Sequence, residues 1–265
     1  AWDLGYTGKG VVIGIIDDGV EGTHEDLNDN HSAKLSRSFL NGNISENQGP
    51  VLLKNNHGTS VAGVAAARGG NGIGVTGAAP YATIAGLRLL SGDQTDEDEF
   101  NAYMWGSGVT FNKITGKYTM KSKPEIAIKN HSYGAKVPFA SEESIVLQSL
   151  SKTAANGVIH VFSAGNDRGT ANEDANKTIA NRHRDVINVA ALGSDGKYTD
   201  YSSYGASVFV TAPSNRSDYM AFGITTTDRT GNDYGYNKYS ASNTQGDVDD
   251  NFPNTNYTAT FGGTS

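Results

Sequence analysis

The stretch GVVIGIIDDG, residues 10–19, decides how this chain folds. Val11, Val12, Ile13, Ile15 and Ile16 are β-branched, and only Gly14 interrupts them. A short apolar run closed by Asp17-Asp18-Gly19 predicts a strand covered on both faces and stopped by a turn. Outward from it the same pattern recurs. Residues 82–89, 125–130, 158–163, 186–191 and 208–212 read as further strands. Residues 59–68 are rich in Ala and Val and end in Gly69-Gly70, as a buried helix does. Residues 95–106 open with Thr95 followed by Asp96, Glu97, Asp98 and Glu99, a capped helix N-terminus. Residues 142–156 form a third helix that stops at Gly157.

Strands that alternate with helices predict an α/β fold of three layers, a mostly parallel sheet with helices on both faces. In such sheets the ligand site lies beyond the carboxyl ends of the strands. Asp17, Ser132 and Asn166 each follow a predicted strand, so they are expected to converge. Residues 107–123 and 223–256 are polar and read as surface excursions. No internal repeat or linker divides the chain, and one domain over residues 1–265 is expected.

Composition narrows the function. The formal net charge of -7 argues against a nucleic-acid partner, which calls for a concentrated basic face. No run approaches the roughly 18 apolar residues of a membrane span. There are no cysteines, so disulfides, thiolate metal sites and cysteine nucleophiles are excluded.

Four glycine-framed segments carry chemistry. A serine hydroxyl becomes a nucleophile only when a base takes its proton, and a histidine held by a carboxylate is the usual base. Acyl transfer also needs donors aimed at the developing oxyanion. Asp17 in IIDDG, His57 in NNHGTSVAG, Asn166 in FSAGND and Ser265 in FGGTS supply one group of each kind. Singly, each has a plainer explanation. Asp before Gly caps turns, a histidine can open a helix, Asn tolerates left-handed turns, and Ser265 alone could be any exposed serine. His24, His31, His131, His160 and His183 lack this framing and read as structural or surface residues.

Taken together and in this order, the four segments resemble the signature segments of the subtilases, the subtilisin-like serine proteases, over nearly the whole chain. Asp17-Asp18-Gly19 with His24-Glu25-Asp26-Leu27, Leu90-Ser91-Gly92-Asp93, Thr226-Thr227-Asp228 and Tyr257-Thr258 before Gly262-Gly263-Thr264-Ser265 are similar to the kexin and proprotein-convertase branch and its bacterial relatives. The resemblance implies a serine endopeptidase, secreted or periplasmic, acting on polypeptides. Ser265 would be the nucleophile, His57 the base, Asp17 its partner and Asn166 an oxyanion donor. Substrate would pair along Ser132-Tyr133-Gly134 and Ala164-Gly165-Asn166.

The branch usually cleaves after basic residues, and Asp18 and Glu99 match acidic positions of its pockets. Lys54 and Val137 stand where convertases often carry Asp; Glu173, Asp174 and Asp200 are candidate substitutes. The resemblance also implies Ca²⁺, held by Asp26, the Asn71 side chain and the carbonyls of Arg68, Ile73 and Val75, a hard-oxygen set that suits the ion. A glycine-rich turn without an ion is the alternative, and Asp247, Asp249 and Asp250 read as a solvated acidic loop. The family carries a helix that begins at the nucleophile, so the chain is expected to be incomplete at both ends. Alone it would be inactive, its remainder either omitted or bound as a separate C-terminal fragment. Two other readings stay open: a non-catalytic binding module on the same fold, and a calcium-stabilised adhesion module.

Overall fold

The structure, a computed structural model, describes residues 1–46, 49–134, 145–216, 223–231, 234–237 and 252–265. The first elements in chain order are β1 (Val12–Asp17), β2 (Arg37–Leu40), β3 (Asn43–Glu46), α1 (His57–Ala66), β4 (Thr83–Arg88) and α2 (Asp96–Met104). Next come β5 (Val109–Asn112), β6 (Lys117–Met120), β7 (Ile128–His131), α3 (Ile145–Ala155) and β8 (Ile159–Ser163). The last are β9 (Val186–Leu192), β10 (Val208–Pro213), β11 (Ile224–Thr227) and β12 (Tyr257–Phe261).

Eight strands form one sheet in the order β10-β9-β8-β7-β1-β4-β2-β3. All neighbours are parallel except the β2–β3 hairpin at one edge. The fold is therefore α/β in three layers, a mostly parallel sheet with helices on both faces. β1 lies inside the sheet, and Ile15 and Ile16 are 1 % and 0 % exposed, as the unbroken apolar run requires. One face packs on α2 and α3 through Phe100, Tyr103, Val146 and Leu150. The opposite face packs on α1 through Val61, Ala62 and Ala66.

Three expectations change. The polar stretch 107–123 contains the antiparallel hairpin of β5 and β6, closed by a turn with Gly116 at φ +66. The first helix starts and ends two residues earlier than read, because Ala67 already has extended backbone. β2, β3 and the β11–β12 pair were not legible as strands. The proposed start of the third helix at Glu142, and Val137, Asp247, Asp249 and Asp250, lie outside the described residues.

β11 is locked to α1 by side chains. Thr226 Oγ1 donates to the Ser60 carbonyl at 2.7 Å and Thr227 Oγ1 to that of Thr59 at 2.8 Å. The approach is close enough that a Cβ on Gly63 would stand 2.2 Å from Thr227 Oγ1. Among the described residues, no helix is long and apolar enough to cross a membrane.

Candidate active site at the carboxyl edge of the sheet

Asp17 is the last residue of β1 and fully buried. Its neighbour Asp18 turns out of the strand and caps α1. Asp18 Oδ2 accepts the His57 N–H at 3.2 Å and Oδ1 the Gly58 N–H at 2.8 Å. Asn56, the residue just before the helix, makes no side-chain capping bond. The cap is thus a carboxylate from a remote strand at the positive end of the helix. Gly58 permits the contact, since a Cβ there would lie 2.3 Å from the Gly19 carbonyl oxygen.

This docking sets the imidazole of His57 against Asp17, with Nδ1 3.0 Å from Oδ1 and 2.9 Å from Oδ2. The carboxylate only accepts, so Nδ1 carries the proton and Nε2 is left as the basic nitrogen. Burial works to lower the His57 pKa, but the charge and hydrogen bond of Asp17, with the charge of Asp18, outweigh it and hold the group above its usual value. Burial first, and then the Asp17 charge, push Asp18 up to about 6 against the two helix N–H bonds.

Asn166 stands at the other wall, on the turn after β8. Its Oδ1 accepts the Thr264 N–H at 2.9 Å and lies 3.1 Å from Thr264 Oγ1. A backbone N–H can only donate, so this contact fixes which way the amide faces. The Nδ2 is then turned to the side of Gly263, where an added Cβ would stand 3.2 Å away. Thr264 Oγ1 also accepts the Gly165 N–H at 3.1 Å. Gly263, at φ +108, donates its N–H to the Tyr201 hydroxyl at 3.1 Å, and its carbonyl accepts from Ser214 Oγ at 2.8 Å. The segment leading to Ser265 is therefore clamped on both sides.

Ser265 borders a cavity of about 120 Å³ with Asn130, Ser163 and Thr264, alongside the last residues of β7 and β8. Phe261, at the end of β12, lies 5.5 Å from the His57 ring, centroid to centroid. Asp17 and His57 are joined directly, and Asn166 touches the residue before Ser265. Among the described residues, no hydrogen bond links Ser265 to His57.

The other expected site residues separate into two groups. Ser132 Oγ accepts from Asn130 Nδ2 at 2.8 Å, Tyr133 has an inward hydroxyl, and Gly134 is exposed. Ala164 is 2 % exposed and donates its N–H to Val189 at 2.9 Å, so it is a wall rather than an open edge. Asp18, expected in a substrate pocket, is 7 % exposed with both oxygens on α1, and its first task is that cap. Glu99, on α2, faces the hydroxyls of Tyr103 at 2.5 Å and Tyr133 at 3.3 Å. Lys54 is exposed; Glu173 accepts the Gly169 N–H, and Asp174 caps Asn176 within its own turn.

Asp26 is wholly buried, and among the described residues it has no ion pair. Its oxygens accept from Asn71 Nδ2 at 2.6 Å and from the Val75 N–H at 2.8 Å, while its carbonyl accepts the Arg68 N–H at 2.9 Å. Among the described residues, no group of three His, Asp or Glu stands ready for a metal. A lone buried carboxylate ringed by the carbonyl-bearing loop of residues 68–75 still suits a hard cation. Asn71 would ligate only after its amide turns over, because Oδ1 now accepts the Ile73 N–H at 3.2 Å.

Sequence reading missed Thr264, Tyr201 and Ser214 as parts of the site. Thr264 lies inside the Gly-Gly-Thr-Ser signature, which was a usable signal. Tyr201 and Ser214 sit in ordinary polar loops with no local cue.

The chain is similar to a calcium-dependent protease of Trichormus variabilis, 30 % identical over 268 residues, with all of this chain covering 38 % of that protein. It is 32 % identical to the kexin of Saccharomyces cerevisiae over 222 residues, 83 % of this chain and 26 % of kexin. The crystal structure of a serine protease of Aeromonas sobria superposes with a TM-score of 0.77 at 26 % identity, over 98 % of this chain and 46 % of that one. The chain thus spans less than half the length of each. Residues 8–265 match the subtilase family as a whole, and the chain belongs to that family.

Proposed function

We propose that residues 1–265 are one catalytic domain of a serine endopeptidase that hydrolyses polypeptides by acyl transfer. The observation that carries this reading is the buried Asp17 carboxylate on His57 Nδ1, which leaves Nε2 as the basic nitrogen of a ring 5.5 Å from Phe261, on the strand that leads to Ser265. Ser265 Oγ attacks the scissile carbonyl, and His57 Nε2 takes its proton and returns it to the leaving amine. Asn166 Nδ2 and the Ser265 N–H receive the oxyanion. The test is labelling of the full protein with a serine-directed fluorophosphonate. Rapid labelling lost in Ser265→Ala supports the reading, whereas no labelling returns the chain to a non-catalytic binding module.

Three finer points belong to the same proposal. Asp26, Asn71 and the carbonyls of Arg68, Ile73 and Val75 would hold Ca²⁺, which would neutralise the buried carboxylate and tie two loops together. The similar protease named as calcium-dependent supports this. Secretion, or export to the periplasm, follows from the family resemblance and is checked by fractionating the producing cells. A preference for Arg or Lys before the scissile bond, which the resemblance implies, would draw on Asp18 and Glu99; with Asp18 bound to α1, it would require Glu99 to be ionised. A cleavage profile dominated by large apolar residues at the first position would remove that preference.

A further inference from the structure

A line of hydrogen bonds runs from Glu99 on α2 to the interior of α3, and its protons fit in one direction. The inner end fixes it. Thr153 Oγ1 lies 2.7 Å from the Ser149 carbonyl oxygen. Two oxygens hold that distance with a proton between them, so Thr153 donates there, a usual back-bond of a helical threonine. Its single proton is then committed, and His160 Nε2, at 2.8 Å, must donate to Thr153 Oγ1. Burial, with the nearby Lys129 and His183, keeps His160 neutral, its pKa pushed down to about 3. Its Nδ1 therefore accepts, and the donor is His131 Nε2 at 3.0 Å. His131 is fully buried and likewise held neutral, by burial first and then by the charge of Lys129. Its Nδ1 accepts from the Tyr133 hydroxyl at 3.2 Å.

Tyr133, whose hydroxyl is also 3.3 Å from Glu99 Oε1, has now spent its proton on His131, so its 3.0 Å contact with Tyr103 is filled only if the Tyr103 hydroxyl donates to it. Tyr103 oxygen is in turn 2.5 Å from Glu99 Oε1. Both phenol protons are used, and this last contact is filled only if the carboxyl carries a proton of its own. An ionised Glu99 leaves one contact between buried oxygens without hydrogen, or strips the donor from His131 Nδ1.

We propose that Glu99 is held as a neutral carboxylic acid at the head of the ordered chain Glu99, Tyr103, Tyr133, His131, His160, Thr153, Ser149 carbonyl, and that the subsite it lines prefers uncharged side chains to Arg or Lys. The second half rests on the reading that Glu99 and residues 132–134 line the substrate cleft. The surroundings agree. Asp96 on the same helix opposes a second negative charge on Glu99. Lys129, the cation on β7, is turned to the carbonyls of Ala102, Tyr103 and Trp105 instead of to Glu99. Burial, the largest cause, raises the Glu99 carboxyl above its usual range.

The proton order is read by nitrogen NMR of labelled histidines and by infrared spectroscopy of the folded full protein. The expected result is the Nε2–H tautomer on both His131 and His160, and a protonated-carboxyl carbonyl band that disappears in Glu99→Gln. An Nδ1–H tautomer on either ring, or no band lost in Glu99→Gln, overturns the ordered chain whatever the enzyme cleaves. The selectivity is read with peptides varied one position at a time. Tyr133→Phe leaves Tyr103 no acceptor but the carboxylate, so Glu99 ionises. At one substrate position the preference for Arg or Lys over Gln should then rise about fivefold or more, the scale of one part-exposed charge pair. If the spectra hold and no position shifts, Glu99 does not line the cleft and the subsite half fails.

Discussion

Asp17 and Asp18 are sequence neighbours with different tasks, one holding an imidazole and the other a helix. Asp17→Asn should therefore lower kcat by about 10⁴ by presenting the wrong tautomer while the fold persists, checked by peptide hydrolysis beside circular dichroism. Asn166→Ala should cost about 10²–10³ in kcat with little change in KM. His57, raised above the ordinary 6.5, must be neutral to act as a base. The acid limb of the kcat/KM profile should thus have its midpoint above pH 6.5, and activity should fall as pH drops through it. Asp18 works in the opposite sense. Its folded value near 6 exceeds the usual 3.8, so between these limits the folded state binds the extra proton. Its contribution to stability is therefore largest below about pH 4 and declines as pH rises to about 6. The difference between melting curves of the protein and Asp18→Asn across that range reads it directly. At this scale the sequence was most legible where a motif frames a residue, as for Asp17, His57 and Asn166. It was silent on Tyr201 and Ser214, because a hydroxyl clamp made across distant loops leaves no local pattern.

At the scale of elements, two contacts should dominate the response to mutation. Gly63 lets β11 lie on α1, and Gly63→Ala should destabilise by about 1–3 kcal/mol in chemical unfolding as the threonine oxygens are forced aside. Lys129 closes the last carbonyls of α2 from inside the sheet. The central strands and all three helices were legible because their apolar runs and glycine stops are local. The β2–β3 and β11–β12 pairs were not, since their strands are four or five residues long and are chosen by what they pack on. The hairpin within residues 107–123 was hidden for the same reason, its strands being four residues long and β6 mostly exposed.

Across the whole molecule, the sheet order sets the site. β1, β4 and β7 are neighbours although β4 and β7 are separated from β1 by long excursions, and the carboxyl ends of β1, β7 and β8 gather the proposed catalytic groups at one rim. The loop of residues 68–75 and the Asp26 turn brace that rim from the side of α1. If calcium completes this brace, a chelator should lower the melting temperature and added calcium restore it in proportion to the logarithm of its concentration. A melting curve indifferent to both would remove the ion.

The carboxylate at position 17 and the hydroxyl at position 265 come from opposite ends of the sequence described, and parallel pairing of remote strands is slow. If Ser265 is the nucleophile, the proposed catalytic groups meet only after β1 and the strand that leads to Ser265 have both reached their places, so reactivity would arise late in folding.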